Sequence, residues 1–201
     1  MKSHKDRELE ILGHPPRLSP LDASAISAQD KASISALWEA IGIPEKPELP
    51  EYFATMLRHP PLMVKQAEYA TQLLKSALSP RHRQLAIIRI AWLCQAPFEW
   101  SQHAKNGKLF AGLTTDDVEA VTQGSTAAHW NDQDRALLLA VEELYTNAMI
   151  SESTWESLTL FLDDKQLLEL PLLVGYYQSV AYLQNSVRFR LMPGSKGLSE
   201  R

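Results

Sequence analysis

The chain has 201 residues, enough for one domain with short arms, and 45% of them are hydrophobic, which supplies a packed core and excludes general disorder. A formal net charge of −4 and a pI of about 5.9 exclude the basic footprint of a nucleic-acid-binding module. Cys94 is the single cysteine, so an internal disulfide, a CxxC pair and a cysteine-rich zinc site are excluded too.

The first residues (MKSHKDRELEILGHPPRL) contain no apolar signal core, and the longest apolar run, 85–94, is interrupted by Arg89 and is too short for a membrane span. The expectation is a cytoplasmic protein. Residues 1–23, polar and broken by Pro15, Pro16 and Pro20, read as a lead-in arm. A first helix is expected from about Ala28 to Ile41, with Ile34, Leu37, Trp38 and Ile41 on one face and with Gly42 and Pro44 ending it. Residues 1–45 as an arm would bury Trp38 and its neighbours between copies of the chain. A short helix follows Pro50 through Tyr52, Phe53, Met56 and Leu57, and Pro60–Pro61 opens a longer one through Met63, Ala67, Ala70, Leu73 and Leu74.

Ser79 is a suitable N-cap for a helix from Pro80 to about Cys94, whose second half (LAIIRIAWLC) is apolar all round and belongs in the middle of a fold. Pro97 starts FEWSQHAKNGKLF, closed near Gly112. Thr114 caps DDVEAVTQ, stopped by Gly124, and Asn131 or Asp132 caps DRALLLAVEELY. Ser151 caps STWESLTLFL. Asp163 caps a final helix through Leu183, which Pro171 should kink, and the tail from Met192 should be frayed. No segment alternates with period two, so the predicted fold class is all-α, a multi-helix bundle. The expected organisation is an arm and first helix over 1–45, a helical domain over 46–190 and a flexible tail over 191–201.

Glu99 and His103, four apart on a predicted helix, share a face. A carboxylate there can orient the imidazole, raise its pKa and make a general acid–base pair; it can equally be a solvated surface pair. Trp100 beside them can wall an apolar pocket. Metal binding is not expected, because one His and one Glu are too few ligands. Arg89, within the apolar run, needs a partner: a carboxylate such as Glu99, Glu142 or Glu143, or a substrate carboxylate. Cys94 reads as an inert buried thiol. Tyr176 and Tyr177 read as core or wall, and His4, His14, His59, His82 and His129 as surface. LSPRHRQLAIIRIAW and LDDKQLLELPLLVGYY echo one another weakly, with Gln84 opposite Glu169 and Trp92 opposite Tyr177.

The stretch LSPRHRQLAIIRIAWLCQAPFEWSQHAKNGKLFAGLT resembles the carboxymuconolactone decarboxylase family of the AhpD-like superfamily. It follows the pattern R-x-x-E-L-x-I-L-R-x-A … E-W-x-x-H … A-G-L, and the likeness extends diffusely over residues 50–185. The resemblance implies an all-α fold that assembles as homotrimers or homohexamers, with a site around the E-W-x-x-H helix, so that Glu99 and His103 become site residues. Members of the AhpD type carry C-x-x-C-x-x-x-H. Counting back from His103, those cysteine positions are Ala96 and Glu99, so a dithiol peroxidase cycle is not expected. The glutamate usual after R-x-x is Gln84, which cannot take up a proton, and His103 remains the main base, with Glu169 a conceivable carboxylate source.

The leading expectation is a cofactor-independent lyase (decarboxylase) or isomerase acting on a small organic acid or lactone. His103 oriented by Glu99 would move the proton, and Arg89, Gln84, Trp92, Trp100 and Tyr177 would bind substrate and keep the site dry. The alternatives are a non-catalytic ligand-binding or scaffold protein with the same fold, and an oxidoreductase using Cys94 alone. Neither a metal nor an organic cofactor is expected.

Overall fold

The structure, a computed structural model, describes residues 3–40 and 49–201, with residue 23 and residues 37–40 described by their backbone. No strand occurs among the described residues, and the fold is all-α. None of the described helices is long and apolar enough to cross a membrane. The chain divides into two compact units, Pro16–Lys75 in one and the residues up to Pro15 together with Ser76–Arg201 in the other.

In the smaller unit, α2 (Ala28–Ala40) packs with α4 (Pro60–Leu74), and α3 (Glu51–Met56) lies before α4 in the chain. Ile26, Ile34, Ala54, Met56, Leu57, Met63 and Leu73 are its buried apolar residues among those described. His59 caps α4, its Nδ1 accepting from the Leu62 N–H at 3.3 Å, and Pro60 opens the helix, where a missing N–H costs nothing. The Arg58 Nε donates to the Ser19 carbonyl at 2.9 Å. The expected helix end at Gly42 and Pro44, and the apolar face of Leu37, Trp38 and Ile41, lie outside the described residues.

The larger unit is built around α5 (Pro80–Leu93), which packs against α6 (Pro97–Phe110), α7 (Thr115–Gln123), α8 (Asp132–Asn147) and α10 (Asp164–Val187). Every residue of α5 from Gln84 to Trp92 is buried, as the all-round apolar pattern predicts. Ser79 Oγ caps it by accepting from the His82 N–H at 3.1 Å. The predicted caps of the other helices form as well: Thr114 with Asp117 in a capping box, Asn131 on α8, Ser151 on α9 (Glu152–Thr159), and Asp163 with Gln166 on α10. The α10 helix continues to Val187, and Pro171 sits inside it without interrupting it.

Two expectations are corrected at the ends of the chain. Residues 4–12 form a helix, α1 (His4–Leu12), rather than a loose arm; Ser3 caps it and Ile11 is buried. The tail is not frayed: a 3-10 turn at Gly197–Ser199 buries Leu198 and Glu200, the Leu198 N–H donates to Glu8, and the Trp100 Nε1 donates to the Glu200 carbonyl at 3.1 Å. These contacts lie far apart in sequence, which is why local periodicity does not reveal them.

Arg81 joins three helices. Its Nη2 lies 2.7 Å from Asp117 Oδ1 and 2.9 Å from Asp134 Oδ2, and both carboxylates stand in the first turn of their helices, where the dipole favours negative charge. His129 Nε2 pairs with Asp117 at 2.8 Å. Burial pushes the Asp117 carboxyl upward, but hydrogen bonds from Arg81, Thr114 and His129 outweigh it and hold the group well below the usual carboxylate range. His82, expected at the surface, is instead mostly buried against Phe161, and burial lowers its pKa despite Asp134 at 3.6 Å. A carboxyl depressed in the folded state stabilises the fold above its unfolded pKa of about 4, and that contribution is lost as the pH falls further. Arg81→Met, which takes the guanidinium from two buried carboxylates and leaves them their Thr114, His129 and Asn131 hydrogen bonds, should therefore cost about 2 kcal/mol at pH 7, and its deficit relative to wild type should shrink in denaturant titrations below about pH 4.

Candidate functional site

Helix α6 starts at Pro97, and Glu99 follows in its first turn, where unbonded N–H groups and the helix dipole favour a carboxylate. One turn later His103 projects from the same face, and its Nε2 lies 3.1 Å from Glu99 Oε1. Glu99 is 4% exposed, so this pair is not on a solvated helix surface. The other carboxylate oxygen, Oε2, accepts from Gln184 Nε2 at 2.6 Å.

From α5, Gln84 Nε2 reaches the His103 carbonyl at 2.7 Å and His103 Nδ1 at 2.8 Å. An amide nitrogen can only donate, so Nδ1 is the acceptor and the neutral imidazole carries its proton on Nε2, facing Glu99. Turning the amide over would set its oxygen against the His103 carbonyl oxygen, so one orientation is favoured. Gly107, one turn beyond His103, makes room for this contact: a Cβ there would stand 3.0 Å from Gln84 Cγ and 2.7 Å from Leu113 Cδ1. The Tyr177 ring meets the imidazole edge-on, with centroids 5.0 Å apart. The structure thus brings together Glu99, His103, Gln84 and Tyr177. It adds Gln184, which the sequence reading missed. The available signal is a polar residue on a buried stripe of α10, at the i, i+3, i+4, i+7 positions Tyr177, Val180, Ala181 and Gln184. Gln184 Oε1 is buried without a hydrogen-bond partner.

The remaining expected site residues lie elsewhere. Arg89 is displaced from Gln84 by five residues, about 140° around the helix, and is already engaged. Its Nε donates to Glu142 Oε1 at 3.0 Å and its Nη1 to the Val121 carbonyl at 2.8 Å, so it takes the protein carboxylate Glu142 as its partner. Burial lowers the guanidinium pKa and the Glu142 charge opposes that. Trp100 and Trp92 pack on each other at 4.6 Å, with His4 against Trp92 and the Arg201 guanidinium over both rings. Trp100 follows Glu99 by one residue and so turns about 100° away from the His103 face. These indoles hold residues from both ends of the chain, His4 and Arg201. Glu169, opposite Gln84 in the sequence echo, accepts from the Ser76 hydroxyl and the Ala77 N–H ahead of α5, and supplies no carboxylate to His103.

Burial pushes the Cys94 thiol up to about 12, which leaves almost no thiolate at neutral pH. Among the described residues no group of His, Cys, Asp or Glu is placed to hold a metal ion. Gly124 bears on the Arg89 pair: at φ 78° a Cβ would fall 2.3 Å from both Arg89 Nη2 and Glu142 Oε1. Gly124→Ala should cost roughly 4 kcal/mol or more in chemical denaturation, through left-handed strain and the broken pair together, while leaving the resonances of the His103 ring in place.

Residues 60–143 match the model of the carboxymuconolactone decarboxylase family. No curated protein matches the sequence. Solved structures share the fold at low identity. A peroxidase-related protein from Ralstonia eutropha JMP134 with an alkylhydroperoxidase AhpD core superposes with a TM-score of 0.72 at 14% identity, covering 90% of this chain and 94% of that one. A peroxidase-related protein from Silicibacter sp. TM1040 gives 0.68 at 15% identity, over 92% and 97% of the two chains. The debrominase Bmp8 in complex with 2,3,4-tribromopyrrole gives 0.68 at 14% identity, over 89% and 93%. At these identities the likeness is one of fold, and the sequence link is the match of residues 60–143 to the carboxymuconolactone decarboxylase family.

Proposed function

We propose that this chain is a cofactor-independent acid–base enzyme, a lyase or isomerase that moves a proton to or from carbon in a small organic acid or lactone, with His103 as the proton-transferring group. The observation that carries the reading is the buried Gln184–Glu99–His103–Gln84 chain. Glu99 holds the imidazole in one tautomer and stabilises the imidazolium that forms when Nδ1 takes up a proton, the role a buried carboxylate plays behind a catalytic histidine. Nδ1 is the working nitrogen. It becomes available when the Gln84 amide swings away, and that amide then donates to a substrate carbonyl oxygen where enolate charge develops.

In the decarboxylase form, Nδ1 first takes up a proton from solvent; the bond to the departing CO2 then breaks, its electron pair spreads onto the conjugated carbonyl, and the imidazolium Nδ1–H delivers that proton to carbon, returning the ring to its neutral state. In the isomerase form, Nδ1 takes a proton from one carbon and returns it to another. Dithiol peroxide reduction within one chain is outside this chemistry, because the chain has a single cysteine.

A second reading, a non-catalytic ligand-binding or scaffold protein, draws on the same geometry, since both ring nitrogens of His103 are engaged by the protein itself. NMR titration of the His103 ring against a panel of small carboxylic acids and lactones separates the two. On the enzyme reading one ligand class shifts the Nδ1 resonance, and with that class His103→Gln lowers turnover by about 100-fold or more. If no acid or lactone moves the ring signals and none is turned over, the scaffold reading stands instead.

A further inference from the structure

We propose that the pocket between the end of α1 and the chain just past α10 binds a small phosphate monoester, with Arg188 and Arg190 holding the phosphate group and His14 supplying a further donor. The pocket is a concavity of about 300 Å³, lined by Leu12, Gly13, His14 and Pro15 on one side and by Arg188 and Arg190 on the other. All six residues belong to the larger unit, and none is part of the Gln184–Glu99–His103–Gln84 chain. Among the described residues no acidic side chain lines it. The two arginines differ from the others in the chain. Arg7, Arg81, Arg89 and Arg201 pair with carboxylates, Arg58 and Arg135 donate to backbone carbonyls, and Arg17 and Arg83 are engaged as well. Among the described arginines, Arg188 and Arg190 alone have no side-chain partner.

Their placement also strains the backbone. Arg188 ends α10 at φ 63° and ψ 54°, with its N–H donating to the Gln184 carbonyl. Glycine or asparagine usually takes that left-handed position, and a residue held there against its preference points to a use for its side chain. The helix dipole favours a cation at this end, but that accounts for one arginine and not for a second, two residues on, lining the same concavity. Phe189, between them, is buried, and its ring centroid lies 6.3 Å from that of Phe98, which fixes the segment that carries both arginines. Two like charges without a counter-ion repel one another, and an anion between them removes that repulsion. The donor set selects the anion. One guanidinium fork satisfies a carboxylate, whereas two forks and an imidazole match the charge of about −2 and the three terminal oxygens of a phosphate monoester. The volume of about 300 Å³ leaves room beyond the phosphate for a small esterified group beside Leu12 and Pro15.

The test uses the whole chain, nitrogen-labelled and titrated by NMR with glycerol phosphate, inorganic phosphate and succinate at constant ionic strength. Glycerol phosphate should give saturable shifts at the Arg188 and Arg190 side chains, the His14 ring and the Gly13 amide, with a midpoint below about 10 mM and tighter than that of inorganic phosphate. Arg188→Gly and Arg190→Gln should each weaken this binding about tenfold or more, the loss expected for a charge-assisted hydrogen bond. Glycine relieves the left-handed strain, so Arg188→Gly should unfold at a temperature no lower than wild type, which separates lost binding from lost folding. Three results overturn the proposal: no saturable shift with glycerol phosphate, shifts that persist unchanged in both variants, or succinate binding as tightly as the ester. Inorganic phosphate binding as tightly as glycerol phosphate also overturns it, and makes free phosphate the ligand.

Discussion

Helix α5 has no face to give to water, and the larger unit is arranged around that constraint. Its polar side chains must find partners inside the protein, because an unpaired buried donor or charge costs more than the helix can recover locally. Arg81 and Arg89 turn to α7 and α8, and Gln84 to α6. Arg81 binds the first turns of α7 and α8 through Asp117 and Asp134. Arg89 binds Glu142 and the carbonyl of Val121, next to a glycine that leaves it room. Gln84 binds His103 on α6. A single buried helix therefore fixes the angular positions of its neighbours by polar contacts as well as by packing, and the imidazole inherits its orientation from that arrangement.

Glu99 illustrates how a local feature becomes a site. On the sequence it is one of many acidic residues four positions before a histidine, a pattern usual on solvated helices. Burial in the first turn of α6 changes its meaning. The His103 ring and the Gln184 amide each engage one of its oxygens, and the side chain is withdrawn from solvent. The first turn of α6 thus presents a carboxylate to an imidazole one turn further on.

Much of the architecture was legible in the sequence because its signals are local. Ser79, Thr114, Asn131, Ser151 and Asp163 each sit at the cap the chain needs, and the unbroken apolar run of α5 announces its central place. The Glu99–His103 pair was legible as a spacing and Gln84 as a departure from a motif. What escaped are contacts between residues 85 to 190 positions apart: Gln184 on Glu99, the tail carbonyl at Glu200 on Trp100, and Glu8 on Leu198. No periodicity encodes those. For Arg89 the sequence offers Glu99, Glu142, Glu143 or a substrate carboxylate, and only the fold selects Glu142 among the protein's own groups. Trp100 neighbours Glu99 along the chain, but the helix turns it to another side.

The central claim is that Gln84 and Glu99 lock the His103 ring in the tautomer protonated on Nε2. Proton–nitrogen correlation NMR of the imidazole at a pH where it is neutral tests this directly. The account predicts a single Nε2–H tautomer with a slowly exchanging ring proton, and a loss of that preference in Gln84→Leu. A ring protonated on Nδ1, or one averaging freely between tautomers in the wild-type chain, would contradict it.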